Sequence, residues 1–273
     1  MKNRPLLLLI ALGFALRLFR LGAQSLWFDE IITVHLAKLP LREGLDGLLA
    51  QGIQLTPFFH WLIKGWLAVG DSEWLVRFPA ACFSLLLIPL MYRLGRHYHS
   101  AEAGLWAAAL ATVNPFQIWY AQEVRGYSML VVAAAGAMLA FERLLREGGR
   151  KGLFALWGFS ALGVSAHHFM FLVSTVQFLF LALNLKRYYR HLRGWMLAQG
   201  LAAVILLPWF GYIVRRRYMA IGIGWIPNPG LWEPLRTLWN FSVGYREGAT
   251  AGDLLSAGVA GLALLLGVRA MYR

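Results

Sequence analysis

Two adjacent carboxylates, Asp29 and Glu30, sit in the stretch "SLWFDEII", with Trp27 and Phe28 before them and Ile31 and Ile32 after. Acids so placed have two uses. In a first helical turn they complement the positive end of the helix dipole. Beside aromatic rings at a membrane surface, a carboxylate is partly desolvated, which raises its basicity and suits it to general-base work. Spacing alone leaves both readings open. Neighbours on a helix point about 100° apart, so the two acids cannot serve one purpose equally. One can face a cavity while the other braces it.

A second concentration of chemistry lies in "NPFQIWYAQEVRGYSML", residues 114–130, where Gln122, Glu123, Arg125 and Tyr127 separate two apolar stretches. Charged groups at such a membrane-level hinge need a partner or a function. The planar fork of Arg125 can grip a phosphate, with Tyr127 donating a further hydrogen bond. A local Glu123–Arg125 ion pair is the alternative. Arg77, in "WLVRFPA", either snorkels to headgroups or neutralises a lipid phosphate. The run Arg215, Arg216 and Arg217 is either a solvated helix end or a phosphate contact. His167 and His168 are adjacent, a poor spacing for zinc, and His168 is a candidate for a substrate hydrogen bond. His60 sits in an apolar stretch where a polar tip on an apolar body is ordinary. There is no glycine-rich phosphate loop, no HExxH pair and no serine nucleophile elbow.

The elements that must position these groups are apolar. Of the 273 residues 59% are hydrophobic and 14% charged, against about 45–50% and 25% in soluble domains. Apolar stretches long enough to cross a hydrocarbon core of about 30 Å recur along the chain, and the short alternating segments of a barrel are absent. The expectation is an all-α polytopic membrane protein with eight spans: 5–21, 78–95, 102–119, 127–145, 153–169, 170–186, 195–213 and 251–268. The first is read as an uncleaved helix, because no small-residue cleavage site follows it. The single cysteine, Cys82, excludes a disulfide within the chain and is expected to be a small core residue.

The net charge of +13 could suggest nucleic acid, but the basic residues cluster at the ends of apolar segments. Placing the N-terminus inside puts Arg93 and Arg96, then Arg143 through Lys151, then Lys186 through Arg193 in short inner connections, as the positive-inside tendency requires. Ten of the 13 acids then fall outside. Counting residues 56–70 as a ninth span would break this pattern. They are expected to form a helix lying in the outer interface, within a long first outer loop of residues 22–77. A second outer loop covers 214–250.

In order, these motifs resemble the GT-C superfamily of membrane glycosyltransferases. The likeness is to the family 39-like branch, related to protein O-mannosyltransferases and the aminoarabinose lipid A transferase. "SLWFDE" follows a first span in a long outer loop. "LTPFFHWLIKGWLAVGDSEWLVRFPAA" resembles that branch's Pro-Pro-Leu-Tyr interface helix and Arg-Leu-Pro-Ser helix start. "NPFQIWYAQEVRGYSML" is similar to its Ser-Gln-Glu-Ala-Arg-Pro-Tyr hinge, and "SAHHF" to its Thr-His-Tyr segment. The likeness covers about residues 8–190, and residues 1–190 are taken as the catalytic transmembrane module. Residues 191–273 form a C-terminal part that matches only in character.

The resemblance implies a polyprenyl-phosphate-linked sugar donor and inverting transfer to an acceptor hydroxyl of a lipid, glycan or protein. The implied place is the outer face of a bacterial-type plasma (inner) membrane. It implies Asp29 as base with Glu30 its neighbour, Arg77, Arg125 and Tyr127 on the lipid phosphate, and Glu123 among the further site candidates. A divalent cation at Asp29 and Glu30 is used by some relatives and not by others. Departures are visible. Relatives carry a charge before the Pro-Pro pair, whereas this chain reads Gln54-Leu55-Thr56-Pro57-Phe58, and Ala121 and Gly126 replace Ser and Pro at the hinge. Relatives are also commonly longer, so a compact or truncated member is expected, with acceptor selection from the 214–250 loop or a partner subunit. A non-catalytic lipid-linked sugar binder, carrier or flippase is the alternative. A carrier needs acids buried in mid-span and helices broken near the bilayer middle, and the acids here gather at one face.

Overall fold

The computed structural model describes residues 4–51, 56–216, 228, 230–244 and 250–271. Gln54, Arg217 and much of the 214–250 loop lie outside the described residues. Those described form helices and connections, with no strand among them. The order is α1 (Arg4–Leu18), α2 (Phe28–Lys38), α3 (Leu41–Gln51), α4 (Pro57–Trp66), α5 (Glu73–Tyr98), α6 (Ala101–Val113) and α7 (Pro115–Ala121). There follow α8 (Tyr127–Glu147), α9 (Gly149–Ala166), α10 (Met170–Leu183), α11 (Leu185–Val204), α12 (Leu207–Arg216), α13 (Glu233–Val243) and α14 (Ala251–Met271).

The eight-span expectation is met only in part. By length and apolarity α5 and α8 can each cross a membrane, and α11 with α12 can form a third span bent by 45°. Of the other expected spans, α1 and α10 are helices of 15 and 14 residues and 102–119 is interrupted, while α9 and α14 run 18 and 21 residues. Residues 102–119 do not form one helix. Pro115 has no N–H to donate and Asn114 accepts from the Gln117 amide at 2.8 Å, so α6 stops and α7 starts afresh. Pro208 likewise stands in the first turn of α12, just after the bend that follows α11. The expected start of the seventh span at 195 is also displaced, because the basic stretch from Lys186 to Arg193 is already helical in α11. Helix α4 has ten residues, about 15 Å at 1.5 Å per residue, half of what a crossing needs.

The largest core joins α8, α9, α10 and α11 through Ala137, Leu144, Leu156, Leu181, Trp195 and Ala198. Helices α5 and α6 pack so closely that a Cβ on Gly104 would lie 2.5 Å from the Tyr92 carbonyl oxygen. The expected core position of Cys82 is not found. Its thiol side of α5 is exposed, because the helix turns Ala80, Ala81 and Ser84 inward instead.

The first long loop is folded into α2, α3 and α4. Val34 and Ala37 of α2, Phe59 and Ile63 of α4, Val76 of α5 and Val124 of the hinge share a second core. At the far side Leu36, Leu48 and Leu49 pack on Trp209 and Ile213 of α12. Tyr212 donates to Asp46 at 2.7 Å and Arg216 pairs with it at 2.6 Å. The end of α12 and the first loop therefore share one end of the bundle.

Candidate active site

Asp29 and Glu30 open α2 and diverge. Glu30, at the third helical position, turns back to accept from the Trp27 amide at 3.2 Å, the carboxylate half of a capping box. The same side chain is fully buried and takes a forked contact from Arg77: Nε to Oε1 at 2.9 Å and Nη2 to Oε2 at 2.7 Å. The Val124 amide adds a fourth donor at 3.0 Å. The remaining donors of Arg77 reach the carbonyls of Leu21, Gln24 and Ser25 at 2.8–3.2 Å. A guanidinium carries five N–H groups, and all five are engaged. Arg77, expected on a lipid phosphate, has no donor left for one. It holds the turn between α1 and α2 in place.

Asp29 points the other way. Its side chain is about one-third exposed, 32%, and faces Arg125 Nη2 at 3.4 Å. Arg125 has no other side-chain hydrogen bond among the described residues, and its guanidinium lies 5.8 Å from the Tyr127 ring centroid. Its side chain is only 14% exposed. This is the reverse of Arg77: a largely buried fork with most of its donors open. The alternative, a local pair between Glu123 and Arg125, is not among the ion pairs of the described residues. Arg125 reaches back to α2 instead.

The desolvation expected for Asp29 is found at Glu123. Trp119 Nε1 donates to Oε1 at 2.6 Å, while the buried Oε2 has no partner among the described residues. Burial pushes this carboxyl up to about 7, the Trp119 hydrogen bond works against that, and the Glu30 charge adds to it. Glu123, Glu30, Arg77, Trp119 and Tyr127 line a cavity of about 790 Å³ that also touches Leu16 and Phe19 at the end of α1. Its size falls within the roughly 300–1,000 Å³ of ligand sites. Asp29 lies beside this cavity rather than in its wall.

Several contacts fix the hinge. Gln122 Nε2 donates to the Arg17 and Phe19 carbonyls at 3.0 and 2.9 Å, and Ser128 donates to Tyr120 at 2.9 Å. Gly126 presses on the end of α9, where a Cβ would lie 2.9 Å from the Ala166 carbonyl oxygen. Tyr127 packs between Tyr120 and His167, at 4.9 and 5.8 Å between ring centroids. His60 of α4 is buried behind Arg125. Burial first, then the Arg125 charge, hold its imidazole down to about 4 against a raising contact with the Thr56 backbone, so it is neutral at pH 7.

The structure therefore gathers Asp29, Glu30, His60, Arg77, Glu123, Arg125 and Tyr127. His168 stacks on His167 at 4.2 Å, one ring further from Tyr127. Arg215 is not brought there. It is exposed at the end of α12, and its neighbour Arg216 takes the ion pair. For a divalent cation at Asp29 and Glu30, used by some relatives and not by others, few carboxylate oxygens are open. Both Glu30 oxygens already accept from Arg77, and among the described residues no three His, Cys, Asp or Glu side chains converge.

Sequence reasoning passed over Arg17. It is fully buried and donates to Ser84 Oγ at 2.8 Å and to the carbonyls of Gly13, Ala111 and Thr112 at 3.0–3.2 Å. The last two carbonyls belong to the final turn of α6, the negative end of that helix, so a cation caps them. The readable signal was an arginine inside an otherwise apolar helix. Thr56 was passed over too, and its hydroxyl donates to the Ser165 carbonyl at 2.5 Å, tying the start of α4 to the end of α9.

A profile of the dolichyl-phosphate-mannose-protein mannosyltransferase family matches residues 54–212, more than half of the chain. The match takes in Arg77, Glu123, Arg125 and Tyr127 and begins after Asp29 and Glu30. No curated protein matches the chain.

Proposed function

The chain belongs to the dolichyl-phosphate-mannose-protein mannosyltransferase family, membrane glycosyltransferases of the GT-C type, and from that premise we propose that it moves a sugar from a polyprenyl-phosphate donor to an acceptor hydroxyl in a single inverting displacement. The observation that carries the assignment of roles is the arrangement around Arg125. A buried guanidinium with open donors lies 3.4 Å from the partly exposed carboxylate of Asp29, next to the cavity. In this reading the acceptor oxygen attacks the anomeric carbon as Asp29 takes its proton. The bond from that carbon to the phosphate oxygen breaks, and its electron pair leaves with the polyprenyl phosphate. Arg125, with the Tyr127 hydroxyl, stabilises the charge that grows there. Glu123, about half protonated near pH 7, donates a hydrogen bond to the donor in the cavity. Glu30 and Arg77 reach the cavity wall with their polar groups already engaged, and they hold the segment that presents Asp29.

The site lies at the outer face of the plasma (inner) membrane with the N-terminus cytoplasmic. Support comes from the charge map. The basic residues from Arg143 to Lys151 lie at and just beyond the end of α8 that is remote from Tyr127. The test is transfer in vitro from labelled polyprenyl-phosphate sugars, comparing wild type with Asp29→Asn. Expected is loss of transfer with donor binding and the unfolding temperature unchanged. Transfer by Asp29→Asn at the wild-type rate overturns the base assignment. A wild type that binds donor and transfers to no hydroxyl acceptor favours a lipid-linked sugar binder or carrier.

A further inference from the structure

A second cavity, of about 410 Å³, lies at the opposite end of the bundle. Met138 and Phe141 of α8 with Val176 and Phe180 of α10 form apolar walls, while Arg146 of α8, Arg187 of α11 and Tyr98 of α5 supply the polar edge. Two rises place it. Arg77 and Tyr98 stand at opposite ends of α5, and Tyr127 and Arg146 at opposite ends of α8. Each separation is about 30 Å at 1.5 Å per residue, the thickness of a hydrocarbon core. The second cavity is thus one bilayer away from the first.

Its charges are unbalanced. Glu142 in the wall pairs with Arg146 through Nε, which leaves the two Nη groups of Arg146 without a partner among the described residues. Arg187 rests on the Tyr188 ring at 5.2 Å and has no carboxylate partner among the described residues, and the same holds for Lys186, Arg190 and Arg193 around it. The exposed flank of α10 beside the cavity is Val176, Leu179 and Leu183, a surface for hydrocarbon rather than water. Apolar walls that end in arginines match an acyl chain that ends in a phosphate. We propose that this cavity binds an anionic glycerophospholipid of the leaflet opposite the sugar-transfer site, its phosphate between Arg146 and Arg187 and one acyl chain between α8 and α10. The occupant is a lipid and not free phosphate because four of the named lining groups, Met138, Phe141, Val176 and Phe180, are apolar.

The probe is a photoactivatable phosphatidylglycerol carried at low mole fraction in phosphatidylcholine nanodiscs holding the full chain, with crosslinks mapped by mass spectrometry. Expected are crosslinks to α8 and α10 around Met138 and Phe180. Arg187→Ala should reduce them about fivefold, and a second substitution, Arg146→Ala, should reduce them again by a similar factor. Met138→Trp, which fills the cavity and leaves the arginines, should abolish them. Unfolding temperature and sugar transfer should stay at wild-type values. Equal labelling by a phosphatidylcholine analogue, labelling indifferent to these substitutions, or displacement by inorganic phosphate alone overturns the proposal. Because the readout is lipid labelling, failure of the transferase reading would leave this result standing.

Discussion

Asp29 and Glu30 are neighbours in the chain and opposites in the structure, and so are the two arginines that answer them. Glu30 is fully buried and accepts from Arg77 through both oxygens, and Arg77 spends every donor on that carboxylate and on three carbonyls of the preceding turn. Asp29 keeps a third of its surface in the open and meets Arg125 by one longer contact. A saturated ion pair is a fastener, since a ligand could enter only by breaking it. An unsaturated one is a receptor for whatever supplies the missing oxygens. In the proposed reading the pair of acids divides support from chemistry across a single peptide bond.

The comparison is broken most severely at the fastener. Arg77→Ala leaves the Glu30 carboxylate buried and unpaired, which should cost about 3–5 kcal/mol of stability, read as a lowered unfolding midpoint in detergent together with loss of transfer. A Glu30→Met, Arg77→Met double variant should recover much of the stability and little of the activity. At the receptor, Asp29→Asn should lower turnover by roughly 10²–10⁴ with an unchanged midpoint. An unfolding temperature that falls as far as in Arg77→Ala would erase the distinction. Arg125→Ala should reduce turnover by about 10²–10³, with Arg125→Lys partly active because a point charge replaces the fork. The smallest effect is expected at Glu123. Wild-type activity should show a limb with an apparent pKa close to 7, falling as pH rises and Glu123 loses its proton, and Glu123→Gln should flatten that limb. The sign for stability is the same. The folded carboxyl is pushed up to about 7 from its ordinary 4.5, so the folded state holds the proton more tightly and stability declines as pH rises through that window.

Much of the site was legible because its residue types are rare in such a greasy chain. A 100° offset already required Asp29 and Glu30 to differ. Spacing alone did not say which acid is buried, since that depends on Arg77, 47 residues away, and on the Val124 amide, 94 residues away. The burial of Glu123 was hidden for the same reason: it depends on helices whose packing a linear pattern does not contain. The break at Asn114-Pro115 was written in the sequence as a cap followed by a helix-starting proline, but the apolar run across it reads as one span if hydropathy is weighed alone. Cys82 failed differently. In a chain without periodic polar positions, the face of a helix that meets lipid and the face that meets protein look alike.

The reach of Glu30 also sets an order of events in the making of the protein. A chain delivered from its N-terminus presents this carboxylate long before Arg77, and much longer before the amide of Val124 that completes its partners. Until then α2 carries a charge that cannot be interred. The candidate site therefore cannot be complete before the hinge has been synthesised, and a nascent chain arrested short of residue 124 would hold Asp29 and Glu30 without the full set of partners that fixes Glu30.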